Sequence, residues 1–185
     1  ENDFIVSYLG SIGGWYLTDE MLRFCKVLSD KKPAVKFLFI SPHRHDEITA
    51  AAARWGIAAE KIITQKAGRK EVPVLLSLSQ YSIFFIKPCY SKQSSSPTKH
   101  GEIMAMGIPL ITNSGVGDVE EIVLKYQSGV VISSFDEASL AAAASQVQEA
   151  HVYDTGLIRR GAQEFYSLES AVEKYIRIYQ QILHS

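Results

Sequence analysis

The residues best suited to take part in chemistry lie between positions 96 and 123, where the start of a polar helix, a carboxylate and a Gly-rich loop follow one another. Pro97 and Thr98 are typical of the beginning of a helix. Its first turn is expected to contain Lys99, His100 and Gly101. The free backbone N–H groups of such a turn, together with the helix dipole, favour binding of a phosphate group.

The residues that follow predict a short helix, a buried strand and a loop. Gly101 predicts close approach of a ligand, and Glu102 is placed to accept hydrogen bonds from sugar hydroxyls. Gly107 predicts the end of the helix, and residues 109–112 predict a short buried strand. Residues 114–118 then predict a loop that leads into another helix.

A second Gly-rich segment directly follows the first predicted strand. Its residues are Gly10, Ser11, Ile12 and Gly13, with a further glycine at position 14. The pattern is not a full G-x-G-x-x-G, so on its own it is equally typical of a tight turn.

These segments need a scaffold, and the hydrophobic pattern predicts a parallel sheet with crossover helices. The predicted strands span residues 4–9, 35–40, 61–64, 83–86, 109–112 and 129–132. The predicted helices span residues 19–29, 46–55, 71–78, 98–106, 119–126 and 137–148. Thr18, Asp118 and Asp136 are expected to be N-caps.

The C-terminal segment predicts one further amphipathic helix. Its apolar residues recur at spacings of three and four and are Phe165, Leu168, Val172, Tyr175, Tyr179 and Ile182. Packing of this seam against the same domain is one interpretation. Exposure of part of it, with self-association, is the other.

Composition predicts one globular domain that does not span a membrane. Hydrophobic residues make up 46 % of the chain and charged residues 21 %. No apolar stretch approaches the length of a membrane span, and no signal peptide is predicted. The two cysteines suggest neither a disulfide framework nor a metal site and fit a reducing cytoplasm. No hydrolase motif is present, and no metal or cofactor is expected.

Charge is unevenly distributed along the chain. Between positions 61 and 100 there are seven Lys or Arg residues against one acidic residue, although the net charge of the whole chain is only −1. A solvated basic face and a basic rim around a phosphorylated ligand both fit this segment. Nucleic acid is not expected as a partner, because the segment lacks interleaved aromatic residues and any recognised binding motif.

Residues 96–123 resemble the donor-binding core of group 1 retaining glycosyltransferases. Residues 5–14 are similar to the first strand and Gly-rich loop of that family's C-terminal domain, and residues 72–77 to the helix beside its nucleobase pocket. The resemblance covers nearly all 185 residues but only half of a complete enzyme. It implies a Rossmann-like, three-layer α/β domain with a parallel sheet of about six strands, the C-terminal half of a GT-B enzyme.

The resemblance also implies roles for individual residues. Gly10, Ser11, Ile12 and Gly13 would approach the diphosphate of a nucleotide-sugar, and Gln65, Lys66 and Val72 would contact its base. Pro97, Thr98, Lys99, His100 and Gly101 would form the phosphate-binding helix start, with Glu102 on the ribose. Lys99 and Glu102 are the residues expected to take part in sugar transfer, which would proceed with retention.

The chain departs from the family at the diphosphate site. Ser11 stands where the family usually has an Arg, and Trp15 and Tyr16 lie where a Lys is expected. Ser94 stands where the first of two paired glutamates would be. Lys99, or Arg69 and Lys70, could supply charge in place of the missing cations.

Three functions remain open from the sequence. They are the donor-binding half of a bacterial transferase of polysaccharide biosynthesis, a nucleotide-sugar epimerase-like domain, and a non-catalytic nucleotide-binding module. The first function implies an N-terminal acceptor domain as a partner. Residues 166–185 would pack against that domain as a terminal helix, and this fragment would be inactive alone. It also leaves open peripheral membrane association of the full protein.

Overall fold

Six parallel strands form one sheet in the order β3-β2-β1-β4-β5-β6 in the computed structural model, which describes residues 3–149 and 151–184. The strands are β1 (Phe4–Leu9), β2 (Val35–Ile40), β3 (Ile62–Gln65), β4 (Tyr81–Ile83), β5 (Leu110–Asn113) and β6 (Gly129–Ile132). This is the Rossmann-like α/β fold that the sequence predicts.

Eight α-helices connect and flank the described strands. They are α1 (Thr18–Lys31), α2 (His45–Arg54), α3 (Val72–Leu76), α4 (Thr98–Ala105), α5 (Val119–Lys125), α6 (Glu137–Gln148), α7 (Thr155–Tyr166) and α8 (Leu168–Leu183). Short 3₁₀ turns occur at Ala59–Lys61 and Tyr90–Lys92. The bounds of four predicted elements, β1, β2, β6 and α6, are confirmed to the residue.

The strand order creates a switch point between β1 and β4. From β1 the chain moves outward through β2 to β3, and it then returns to run through β4, β5 and β6 on the other side. Because right-handed crossovers in opposite directions lie on opposite faces of a sheet, α1 and α4 are on different faces. Accordingly α1 packs against α6, whereas α4 packs against α7. Open parallel sheets bind ligands at the carboxyl ends of the strands, at such a switch point.

The core lies on both faces of the central strands. Phe37 and Phe39 of β2 are buried on one face, together with Tyr8 of β1, and Leu38 and Ile40 of β2 are buried on the other. The predicted stripe of α1 is confirmed, since Met21, Cys25 and Leu28 are all buried. Apolar burial on both faces is what a parallel sheet covered by helices requires.

Two predicted features of the first half are wrong. Strand β4 spans Tyr81–Ile83 rather than the predicted residues 83–86. Ser82 and Ile83 pair with β5, whereas the buried residues 84–86 lie mainly outside the ladder. Thr18 is not an N-cap but the first residue of α1. Its hydroxyl instead accepts a hydrogen bond from the Gly13 N–H at 3.3 Å, which ties the Gly-rich loop to α1.

The C-terminal seam is divided between two helices. Ser167 ends α7 and caps α8, its hydroxyl accepting a hydrogen bond from the Ser170 N–H. The prediction of one continuous helix is therefore wrong, and Phe165 lies on α7. No described residue of α8 is buried, so packing of this helix against its own domain is also contradicted. None of the described helices is long and apolar enough to cross a membrane.

Candidate functional site

Two segments meet at the carboxyl side of the switch point: the loop after β1 and the first turn of α4. Gly10 opens the loop with φ +124°, a backbone conformation that favours glycine. A Cβ atom at this position would lie 2.7 Å from the Nζ atom of Lys99. The two segments that the sequence singles out are therefore in direct contact.

Lys99 is held by aromatic rings rather than by a carboxylate. Its ammonium lies 3.7 Å from the ring centre of Tyr16, 4.7 Å from that of Tyr8 and 5.8 Å from that of Phe84. The Nζ atom is buried and has no hydrogen-bond partner among the described residues. Ring quadrupoles attract a cation, but they replace only part of its lost hydration.

Burial has a measurable consequence for the charge of this side chain. It lowers the pKa of Lys99 to about 7, against the opposing effect of the negative charge of Glu102. The ammonium therefore lies beneath the Gly-rich loop in a state that readily gains or loses its proton near neutral pH. An anion on the loop would stabilise the charged form.

The start of α4 leaves its backbone donors free of side-chain caps. Pro97 occupies the N-cap position and makes no side-chain cap. Thr98 and Glu102 are exposed, one turn apart. A helix start with uncapped N–H groups and a cation beneath the adjoining loop can bind an anion.

His100 and Gly101 face inward rather than toward a ligand. His100 is fully buried, and burial lowers its pKa to about 4. A Cβ atom on Gly101 would lie 2.5 Å from the ring of Tyr166, so this glycine accommodates α7. The expectation that Gly101 permits close approach of a ligand is corrected: it permits close approach of another helix.

The loop before α4 is anchored to the loop before α5. The Gly117 N–H donates to the Lys92 carbonyl at 2.9 Å. A Cβ atom on Gly117 would overlap the carbonyl oxygen of Ser95. This tight contact explains why the segment needs glycine there, with φ +45°.

A small cavity of about 200 Å³ lies beside the anchored loop. Its lining residues are Trp15, Tyr16, Ile86, Lys92, Ser95, Ser96 and Pro97. The ammonium of Lys92 lies 4.8 Å from the ring centre of Trp15. The cavity therefore combines a flat apolar wall with hydroxyl groups and a cation.

The residues expected to contact a base lie at the same edge of the sheet. Gln65 ends β3, and its side-chain N–H donates to the Lys66 carbonyl at 2.9 Å. Val72 begins α3 and is half-buried. Arg69 and Lys70, in the turn between them, are exposed.

Asp118 does not act as the predicted N-cap. It occupies the N-cap position of α5, but its carboxylate makes no capping hydrogen bond, and its Oδ1 atom is buried without a partner among the described residues. Asp136, in contrast, caps α6 as predicted, accepting from the Ser139 N–H at 2.8 Å. Across residues 3–149 and 151–184, no three His, Cys, Asp or Glu side chains come together as metal ligands would.

A larger cavity, of about 500 Å³, opens at the opposite edge of the sheet, where β1, β4 and β5 begin. Aromatic and small residues form much of its wall, among them Phe4, Tyr81 and Tyr153. Neither the Gly-rich loop nor the start of α4 reaches it.

Comparison with known families identifies the lineage of the domain. The family model described as "Glycosyl transferases group 1" matches residues 1–161. The chain belongs to the group 1 glycosyl transferase family. No curated protein matches the sequence at a significant level.

Solved glycosyltransferase structures share the fold of this group 1 family member. WaaG, a glycosyltransferase involved in lipopolysaccharide biosynthesis, superimposes with a TM-score of 0.69 at 17 % identity, over 96 % of this chain and 47 % of WaaG. The pneumococcal O-GlcNAc transferase GtfA, solved with UDP and GlcNAc, gives a TM-score of 0.76 at 16 % identity, over 100 % of this chain and 37 % of GtfA.

A third structure is similar in extent as well as in fold. It is the C-terminal domain of the group 1 family protein LpcC from Francisella tularensis, with a TM-score of 0.61 at 18 % identity, over 91 % of this chain and 85 % of that chain. Against WaaG, by contrast, the present chain spans about half the length.

Sequence reasoning missed the aromatic residues of the site. Tyr8 and Tyr16 hold Lys99, and Tyr166 contacts the first turn of α4. Tyr16 could be noticed as a departure from the family pattern. Tyr8 lies within the segment of residues 5–14 but only as a strand residue, and Tyr166 lies in no motif. Their roles follow from the packing of distant segments, which spacing along the chain does not reveal.

Proposed function

We propose that this domain is the donor-binding half of a retaining glycosyltransferase whose donor is a nucleotide-diphosphate-sugar. The observation that carries the proposal is the contact between Gly10 and Lys99 at the switch point of the sheet. It unites a Gly-rich loop, an uncapped helix start and a buried cation at the edge where such sheets bind ligands.

The diphosphate would lie between the Gly-rich loop and the start of α4. Backbone N–H groups from both segments would donate to its oxygens, and the ammonium of Lys99 would balance charge from beneath Gly10. Glu102, exposed one turn into α4, would accept hydrogen bonds from the ribose hydroxyls. The base would extend toward Gln65 and Lys66 at the end of β3.

The donor's sugar would occupy the cavity beside Trp15. The flat indole suits the apolar face of a pyranose, and the hydroxyls of Ser95 and Ser96 would bond to the sugar hydroxyls. UDP and GlcNAc in the related GtfA complex are compatible with this class of ligand.

In transfer, the bond between the anomeric carbon and the β-phosphate oxygen breaks, and an acceptor oxygen bonds to the same face of that carbon. The acceptor's proton leaves with the departing diphosphate or to solvent, and the diphosphate carries away the bonding electrons. Preorganised donors at the helix start would stabilise the developing charge, each by about 2.7–4 kcal/mol. The acceptor and its binding residues would come from an N-terminal domain of the same protein, so this half alone would transfer little sugar.

Calorimetry with UDP, GDP and TDP tests the proposal. We expect one nucleotide to bind in preference to the others, and Glu102→Ala to weaken that binding by about 10-fold or more because the ribose loses a charged acceptor. Glu121→Ala, which removes an exposed carboxylate from α5, is the matched control. Absence of binding by all three nucleotides would reject the proposal.

One observation favours a second candidate, a non-catalytic nucleotide-binding module. Ser11 and Trp15 leave the Gly-rich loop without a cation of its own, so its charges come from the buried Lys99 beneath Gly10 and from Arg44, whose Nη1 atom lies 3.3 Å from the Cβ position of Gly13. Binding of a nucleotide by the full protein without hydrolysis or transfer of any nucleotide-sugar would support this candidate.

A further inference from the structure

Tyr166 is the last residue of α7, and it reaches the first turn of α4. Its ring fills the notch left by Gly101, where a Cβ atom would lie only 2.5 Å from the Tyr166 Cγ atom. Its hydroxyl lies 3.1 Å from Nδ1 of His100. Burial raises the pKa of this hydroxyl to about 12, and the neighbouring Ser96 side chain opposes that shift.

Ser96 and His100 lie on the two sides of the helix start. Ser96 precedes the N-cap residue and lines the cavity beside Trp15, whereas His100 lies in the first turn. His100 is fully buried, and its Nε2 atom has no partner among the described residues. The Tyr166 hydroxyl is therefore the polar contact that fixes the His100 ring.

We propose that Tyr166 is a positioning residue for the donor: its hydroxyl fixes His100, its ring fills the notch at Gly101, and together these contacts set the direction of the backbone N–H groups that receive the diphosphate. This inference rests on the proposed function, because it assigns a role within the same site. Fixed donors bind an anion more tightly than mobile ones, since less order must be gained on binding. Tyr166 touches no ligand itself and acts through the helix start.

The test compares two Tyr→Phe substitutions. Each removes a hydroxyl that forms a hydrogen bond between α7 and another part of the domain. Tyr166→Phe keeps the ring in the Gly101 notch and removes only the hydroxyl. Tyr126→Phe removes a hydroxyl directly after α5 that bonds to Glu164 on α7, away from the start of α4. Inorganic pyrophosphate serves as a probe that requires no base, and UDP, GDP and TDP serve as further probes.

We expect Tyr166→Phe to lower pyrophosphate affinity by about 3- to 10-fold, as the loss of one hydrogen bond would. Tyr126→Phe should leave the affinity unchanged, although both variants lose similar stability. Amide hydrogen exchange of residues 98–101 should rise in Tyr166→Phe only, with exchange in β1 and β2 unaltered. A tyrosine with a purely structural role would instead change the free energy of unfolding without changing the affinity of the folded protein for pyrophosphate.

The outcomes separate this inference from the proposed function. If pyrophosphate binds and neither its affinity nor the exchange of residues 98–101 changes in Tyr166→Phe, the positioning role is wrong. If no diphosphate binds the unaltered protein, but exchange rises in Tyr166→Phe alone, the proposed function fails while the control of the helix start by Tyr166 stands. Equal effects of the two substitutions would also overturn the inference.

Discussion

Helices α4 and α8 depart from the usual distribution of side chains in opposite directions. The first turn of α4 buries a lysine and a histidine, whereas α8 exposes a row of large apolar side chains. Burying a cation without an ionic partner is unfavourable, and so is leaving apolar surface in water. Each departure is therefore informative about function: under the proposed function, α4 binds an anion and α8 is covered by another surface.

The two helices differ in what surrounds them. Around Lys99 the structure supplies a defined cage of Tyr8, Tyr16 and Phe84, so its environment is complete except for a counter-charge. Around α8 the described domain leaves no residue fully buried. Under the proposed function, the N-terminal domain would provide that cover. Substitutions in α4 should then change both binding and the free energy of unfolding, whereas substitutions in α8 should leave the stability of this domain nearly unchanged.

We expect the largest effect from replacing the buried Lys99 of α4 with an apolar residue. Lys99→Met should weaken diphosphate binding by about 10- to 100-fold, because a charged partner is worth about 1.5–3 kcal/mol. The same substitution should raise the free energy of unfolding by about 1 kcal/mol or more, because an unpaired buried ammonium is replaced by a side chain of similar length. Calorimetry and urea denaturation measure the two quantities.

Lys92→Met is the control for this experiment. Its ammonium lies over Trp15 and is only partly buried, so its loss should not raise stability. A decrease in stability in Lys99→Met would contradict the claim that this lysine is retained for binding rather than for folding.

The packing of α4 against α7 can be broken at Gly101. Gly101→Ala places a Cβ atom 2.5 Å from the Tyr166 ring, so we expect a loss of about 1–3 kcal/mol in the free energy of unfolding. Gly14→Ala is a useful contrast: no atom lies within 4 Å of its Cβ position, and the cost there arises only from its positive φ of 64°. Equal thermal unfolding of wild type and Gly101→Ala would show that α7 does not hold the start of α4.

The pH dependence of stability sharpens the description of the α4 turn. The pKa of His100 in the folded protein is about 4, below its ordinary value of 6.5, so its contribution to stability is complete above pH 6.5 and is lost as the pH falls toward 4. The pKa of Lys99 is about 7 instead of 10.5, so stability should also rise as the pH increases from 7 toward 10. Urea denaturation across this range measures both slopes. His100→Phe should remove the acidic slope and Lys99→Met the alkaline one.

The smallest effect is expected from making α8 polar. Tyr175→Ser and Tyr179→Ser change side chains that are 63 % and 62 % exposed, so the free energy of unfolding should change by less than about 0.5 kcal/mol. Leu140→Ser in α6 is the buried control and should cost several kcal/mol. Destabilisation of the domain by either tyrosine substitution would mean that α8 packs on it after all.

Much of the scaffold follows from periodicity, but much of the site does not. The β1, β2 and β6 runs are apolar, short and bounded by turns, so their limits are predictable. Lys99 could be named from its place at a helix start, but its burial could not, because lysine is almost always exposed. Ser167 divides the C-terminal seam by capping α8, a local hydrogen bond that the spacing of apolar residues conceals.

Proton uptake during diphosphate binding shows whether the bound anion lies next to the Lys99 amine. At pH 8 the Lys99 amine is mostly neutral, and an anion over Gly10 should raise its pKa, so binding should take up a proton from the buffer. Calorimetric titrations of the preferred nucleoside diphosphate in two buffers of different ionisation enthalpy would measure this uptake. We expect net proton uptake in the wild type and none in Lys99→Met, which is titrated at a raised ligand concentration. Tight binding to the wild type without proton uptake would contradict this expectation, because the anion would then lie away from Lys99.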